Sequence, residues 1–172
     1  DTTWGMASDV PLIAGSNLVI ARRVARQFVG DEAFDAAVAS LTPEERAAYL
    51  DSSVLSWVPV ALIDAAMEKI ARAGRVTAEE LVIHVTRVSQ EEMLHTIYRI
   101  LMRVTTDEAL IGRTNTFYSK VYDTGRLTSE FPAPGRANVT LHEWPGITPL
   151  QLVGLGAGIE ATLRCAGRKE AR

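Results

Sequence analysis

The chain has 172 residues, 47% of them hydrophobic and 23% charged, with a net charge of −3 at pH 7. That is room for one domain with a real core, and the acidic balance offers no basic footprint for nucleic acid or an anionic membrane. The lone cysteine, Cys165, excludes an internal disulfide framework, and no apolar run approaches the roughly 20 residues of a membrane span. These features suit a cytoplasmic protein that does not insert into a membrane.

Residues 1–15, opening DTTWGMASD, lack a basic segment followed by an apolar one, so no signal peptide is expected. They read as a tag-like or flexible N-terminus, with Met6 a candidate native start, and residues 16–172 read as one domain. Ser16 is the expected cap of a first helix in which Ile20, Val24 and Phe28 recur every four residues before Gly30. Asp31 opens a short segment holding Phe34 and Val38. In LTPEE, Thr42 as N-cap, Pro43 at the first helical position and Glu45 three residues after the cap form a capping box. SSVLSWVP interrupts the pattern, and Pro59 opens a fourth helix carrying Leu62, Ile63, Ala66, Met67 and Ile70, closed by Gly74.

Thr77 and Glu80 form a second capping box, starting an apolar stripe from Leu81 through Val85, Val88, Leu94, Ile97, Ile100 and Leu101 to Val104. The spacing predicts one long helix or two abutting ones. Thr106 caps the next, with Leu110, Phe117 and Val121 near one face and Gly125 at its stop. The period then changes from 3.6 to 2. Leu127, Ser129 and Phe131 alternate with Thr128 and Glu130; after the turn PAPG, Val139 and Leu141 oppose Asn138, Thr140, His142 and Trp144. Thr148 caps a last helix with Pro149 first, lined on one side by Leu152, Leu155, Ile159 and Leu163. The predicted class is α+β: an N-terminal helical part, a late antiparallel hairpin or small sheet, and a C-terminal helix packed on it. A lone hairpin is marginal in water and needs neighbours.

Chemistry-bearing patterns are sparse. GLGAG, Gly154 to Gly158, follows a helix cap rather than a strand, and Ile159 stands where a dinucleotide fingerprint needs glycine; close packing of the helix is the expectation. Glu92 and His95 form one E-x-x-H pair with no second copy, and His84 lies eleven residues before His95, about 16 Å along a helix. No metal site is expected there. Cys165, among Arg164, Arg168 and Lys169, reads as a small buried or interface residue. Phe117, Tyr118 and Tyr122 gather before the hairpin with Arg126 close behind. They form either core or one wall of an apolar pocket between long helix and sheet. Candidate pocket residues are Trp57, His95, Tyr98, Tyr118, Tyr122 and Arg126; none is assigned a catalytic role.

The succession SNLVIARRVARQFVGDEAF, LTPEERAAYL, SWVP, LHTIYRI, FYSKVYDTGRL and PGRANVTLHEWPG before a glycine-bearing helix resembles a set of bacterial proteins. That set is similar to the superfamily of heme–NO-binding (H-NOX) domains, 4-vinyl-reductase domains and TRAPP vesicle-tethering subunits. The resemblance spans residues 15 to 172 and implies further strands beyond RKEAR. H-NOX domains hold heme propionates through Y-x-S-x-R just before that helix; here the place reads HEWPGITP, while Tyr122-x-Thr124-x-Arg126 falls before the hairpin. Positions 96–141, where the resemblance would put the heme-ligating histidine, contain none. Heme is disfavoured and no other cofactor is expected. The cysteines that 4-vinyl-reductase domains carry near the last helix are missing at Gln151 and its neighbours. The expectation is a non-enzymatic small-molecule-sensing or protein-interaction module, a homodimer binding a small hydrophobic ligand or a protein partner. The alternative is an enzyme or carrier for a hydrophobic ligand such as a tetrapyrrole.

Overall fold

The computed structural model describes residues 10–94 and 106–166. Its class is α+β. In chain order come β1 (Leu12–Ala14), α1 (Gly15–Val29), α2 (Asp31–Ala39), α3 (Pro43–Leu50), β2 (Trp57–Pro59), α4 (Val60–Ala73) and α5 (Ala78–Met93). After the undescribed segment follow α6 (Asp107–Gly112), α7 (Thr114–Val121), β3 (Arg126–Ala133), β4 (Arg136–His142) and α8 (Pro149–Cys165). No helix among the described residues is long and apolar enough to cross a membrane.

Local signals set most helix starts. Thr42 and Thr77 each accept from the backbone N–H three residues on, and Glu45 and Glu80 reach back to the cap, so α3 and α5 begin where the capping boxes stand. Thr148 and Gln151 complete a third box at α8. Thr106 Oγ1 accepts from the Ala109 N–H at 3.3 Å, as expected of a cap. Helix α1 departs from expectation. It starts at Gly15, behind extended Ala14, and Ser16 lies inside it without capping. The Gly15 N–H instead donates to the Ser56 carbonyl at 2.8 Å.

The segment before Pro59 is not simply a break. Trp57 to Pro59 pair antiparallel with Leu12 to Ala14, making a two-stranded sheet of three residues a side. The helix expected from Thr106 to Gly125 is two helices meeting at Gly112–Arg113, where glycine weakens helix continuation. The chain leaves α7 at Tyr122, which is extended because it bridges to Ile13; Gly125, at φ 82°, serves the turn into β3 instead. Of the predicted face, Phe117 and Val121 are partly buried, and the Leu110 side chain lies outside those described. Residues Ile97, Ile100, Leu101 and Val104 of the predicted stripe also lie outside the described residues; α5 itself ends at Met93.

Strands β3 and β4 pair antiparallel in the order Arg126↔His142 through Glu130↔Asn138, with an irregularity before Ala133↔Arg136 and the turn at Pro134–Gly135. Leu127, Ser129, Val139 and Leu141 share one face, as their alternation implies. Trp144 does not follow the outward set. Glu143 adopts a left-handed φ of 58°, which reverses the alternation and turns Trp144 inward until it is 9% exposed.

Two apolar clusters follow. The larger joins α1 to α5 around Leu18, Val24, Phe34, Tyr49, Ile70 and Leu81, each at most 2% exposed and each contributing about 1.5–3 kcal/mol by burial. The smaller holds Val60, Tyr118, Leu127 and Trp144 under the hairpin, and Ile13 packs against both clusters. Phe28, expected on the buried face of α1, is 39% exposed and stacks on His84 with ring centroids 4.2 Å apart.

Helix α8 lies along α5. A Cβ on Gly154 would stand 3.2 Å from Val82 Cγ1, and one on Gly158 3.5 Å from Thr86 Cγ2, so glycine permits the close approach the GLGAG run suggested. Arg87 binds Glu160 at 2.7 Å, and Gln90 Nε2 donates to Thr162 Oγ1 at 3.1 Å across the same interface. Leu155, Ile159 and Leu163 are partly buried on that helix, whereas Leu152 is half exposed. Cys165 packs with Leu163 against Leu94 and Ala166.

Candidate functional site

Helices α1, α4, α5, α6, α7 and α8 do not meet at a point, and the space between them is a cavity of about 200 Å³. Asn17, Leu18 and Ala21 line it from α1; Val60, Ile63, Asp64 and Met67 from α4. Helix α5 adds Val82, Val85, Thr86, Ser89 and Gln90, and α7 adds Thr114, Phe117, Tyr118 and Val121. Gly154, Leu155, Gly158 and Ile159 close the α8 side. The hairpin contributes Leu127. The wall is mostly apolar with a few polar atoms, the usual make-up of a small-molecule site.

Three aromatic rings buttress one end. Tyr118 and Tyr122 are 5.2 Å apart between centroids, and Trp144 meets Tyr122 edge-on at 5.0 Å and Tyr118 at 6.2 Å. The Tyr118 hydroxyl donates to the Thr124 carbonyl at 2.6 Å, and burial pushes its pKa well above the ordinary value. The Tyr122 pKa is pushed up to about 12, first by burial and then by the nearby Asp64 charge. Both phenols are therefore neutral donors near neutral pH.

Asp64 is the acidic residue in this wall. Its Oδ2 accepts from Thr148 Oγ1 at 3.0 Å and from Gln151 Nε2 at 2.6 Å. Burial raises its pKa, and the two hydrogen bonds pull in the other direction without cancelling that effect. The same Gln151 amide accepts from the Thr148 N–H at 3.1 Å, so the α8 cap and the carboxyl form one network.

Two buried polar atoms in the wall have no hydrogen-bond partner among the described residues: Asn17 Nδ2 and Ser89 Oγ. Ser89 is 7% exposed, and it continues the Leu81–Val85 row of the α5 stripe at four-residue spacing. A serine within such a row was the available sequence signal for this site. Asn17 and Asp64, likewise missed, stand next to apolar Leu18 and Ile63, where a polar residue in a buried face gives the same kind of hint.

Of the six candidate pocket residues, Tyr118 and Tyr122 line the cavity. Trp57 does not: on β2 it is 47% exposed. Arg126 does not either; half exposed at the start of β3, it lies 3.7 Å from exposed Glu143, a pairing worth little in water. His95 and Tyr98 lie outside the described residues. The expected pocket between long helix and sheet is thus mainly a space between helices.

No histidine, cysteine, lysine or arginine lines the cavity among the described residues. No cluster of three or more metal-ligating side chains occurs among the described residues. Glu92 pairs with Arg23 across α1 and α5. His142 exchanges a 2.7 Å hydrogen bond with Thr128 Oγ1 across the hairpin. What the arrangement can do is hold an apolar molecule and offer it a few polar contacts. No protein-family model, curated protein or solved structure matches the chain.

Proposed function

We propose that the chain is a non-enzymatic small-molecule-sensing or protein-interaction module, related to the H-NOX, 4-vinyl-reductase and TRAPP-like superfamily and working without heme. The apolar cavity of about 200 Å³ walled by Tyr118 and Tyr122 carries this reading. An engineered apolar cavity of about 150 Å³ admits benzene, so this one suits a ligand of about 8 to 12 non-hydrogen atoms. The alternative reading is an enzyme or carrier for a hydrophobic ligand such as a tetrapyrrole. The acidic net charge supports a partner other than nucleic acid.

A second copy of the chain is the protein partner we favour, in the cytoplasm. Leu55 at 88% exposed, Val54 at 59% and Trp57 at 47% support a self-association surface. Sedimentation at micromolar concentration tests this; a strict monomer overturns it.

Ligand-observed NMR with cumene tests the cavity. Binding by the wild type, lost when Leu155→Trp fills the space, is the expected result. No binding at millimolar cumene overturns the reading. Absorbance of the purified protein checks the other part: a Soret band would refute the absence of heme.

A further inference from the structure

We infer that the cavity takes a compact organic amine in its protonated form, whose ammonium meets Asp64 Oδ1 while its apolar body fills the space between the helices. This rests on the reading of the cavity as a ligand site and adds the ligand's chemical class. Asp64 borders the cavity from α4, and its two oxygens differ. Oδ2 already accepts from Thr148 Oγ1 at 3.0 Å and from Gln151 Nε2 at 2.6 Å, which holds the carboxyl in one orientation. Oδ1 makes no hydrogen bond among the described residues, and it is not one of their sealed polar atoms. Asn17 Nδ2 and Ser89 Oγ, by contrast, are sealed off from any ligand and take no part. A carboxylate oxygen only accepts and an ammonium only donates, so the two match.

Tyr122 lines the same cavity, and its pKa is raised by burial first and by the Asp64 charge second, so phenol and carboxyl lie near each other. The Tyr122 hydroxyl also makes no hydrogen bond among the described residues and is not sealed, and its oxygen can accept from a second ammonium N–H. The Tyr118 and Tyr122 rings add electron-rich surface that attracts a cation. Charge points the same way. Asp64 is the only acidic residue lining the cavity among the described residues, and no lysine, arginine or histidine there balances it. Burial raises its pKa, its two hydrogen bonds lower it, and the Glu68 charge pushes it up again. A ligand cation supplies the counter-charge that this wall lacks. The Thr86 and Thr114 hydroxyls are likewise without a partner among the described residues, but a hydroxyl donates or accepts and does not select. An organic acid would meet Asp64 as a like charge. A metal ion would have to shed its water into an apolar wall with no cluster of three ligating side chains among the described residues.

Four probes of nine non-hydrogen atoms each separate the classes: 2-phenylethylamine, 2-phenylethanol, propylbenzene and benzoate. Their affinities are measured by titration calorimetry at pH 7 on the wild type, Asp64→Asn and Tyr122→Phe. The amine is expected to bind the wild type at least about tenfold more tightly than the alcohol or the hydrocarbon, with benzoate weakest. Asp64→Asn keeps an acceptor for Thr148 and Gln151 but offers the ligand an amide N–H in place of Oδ1. It is expected to weaken the amine by at least about tenfold and leave propylbenzene unchanged. Tyr122→Phe removes a hydroxyl that bonds to nothing among the described residues, so the fold should be kept; the amine should weaken about threefold. Thermal unfolding of the ligand-free variants checks that both are folded. If propylbenzene or 2-phenylethanol binds the wild type as tightly as the amine, or folded Asp64→Asn keeps the amine affinity, the amine inference fails and the cavity reading survives. Preference for benzoate overturns the inference as well. Failure of all four probes to bind overturns both.

Discussion

Gln151 Nε2 on α8 donates to Asp64 Oδ2 on α4 at 2.6 Å, fastening the capped start of the last helix to a carboxyl that its surroundings would rather keep neutral. The folded pKa is raised above the unfolded one, so the folded state holds the proton more tightly. The sign follows: stability from this group is highest below the unfolded pKa of about 3.8 and falls as pH rises through the raised folded value. Asp64→Asn keeps an acceptor for Thr148 and Gln151 without the charge. It is expected to be more stable than the wild type at pH 7, with the advantage shrinking as pH drops below the raised pKa. Urea unfolding at pH 7 and pH 4 checks this; a constant difference at both would contradict it.

Gly15 sits where no side chain fits. A Cβ there would stand 2.0 Å from the Ser53 carbonyl oxygen and 3.0 Å from that of Ser56. Gly15→Ala must push α1 away from the loop that leads into β2. The expected loss is at least about 2 kcal/mol, read from chemical unfolding. Gly156→Ala, with nothing within 4 Å of its Cβ and a helical backbone, should be neutral or stabilising.

Two buried tyrosines should respond in opposite ways to loss of the hydroxyl. Tyr49 is fully buried and its hydroxyl has no partner among the described residues, so Tyr49→Phe should leave stability unchanged or raise it by about 1 kcal/mol. Tyr118→Phe breaks the 2.6 Å bond to Thr124 and should cost about 1 kcal/mol. Matching losses in the two variants would show that Tyr49 has a partner after all.

Gly125 combines two constraints. Its φ of 82° favours glycine, and an added Cβ would lie 2.7 Å from the Tyr118 hydroxyl. Gly125→Ala is expected to cost about 1–3 kcal/mol and to alter the near-ultraviolet circular dichroism of the Tyr118–Tyr122–Trp144 cluster. Gly135→Ala, at φ 73° with open space around it, should bring the backbone strain alone and leave the aromatic signal intact.

The elements legible in the sequence are those whose cause lies within a few residues. The boxes at Thr42 and Thr77 and the cap at Thr148 are local hydrogen-bond exchanges, and the helices start there. Strands β1 and β2 were not legible, because three residues are too few to show a period and their pairing joins Leu12 to distant Pro59. Trp144 was misplaced because alternation assumes extended backbone, and Glu143 is left-handed. Tyr118 and Tyr122 were legible as neighbours since they cluster along one short segment, and both line the cavity. Arg126 was associated with them by nearness in sequence and Trp57 by residue type, and tertiary structure leaves both at the surface. The cavity itself depends on how helices distant in sequence are placed.

Strand β1 is only three residues long, yet it stitches remote parts of the chain. The Leu12 N–H donates to Asp123 Oδ1 at 2.8 Å over a separation of 111 residues, the Pro11 carbonyl accepts from Val60, and Ile13 bridges to Tyr122. Closing so wide a loop is entropically slow and has to precede the contacts it allows. The region after Gly112 thus reaches its final place only when the beginning of the described chain is already threaded against it. A ribosome emitting this polypeptide would release the seam at Leu12 first and its partner Asp123 111 residues later, so the seam closes only after synthesis has passed Asp123.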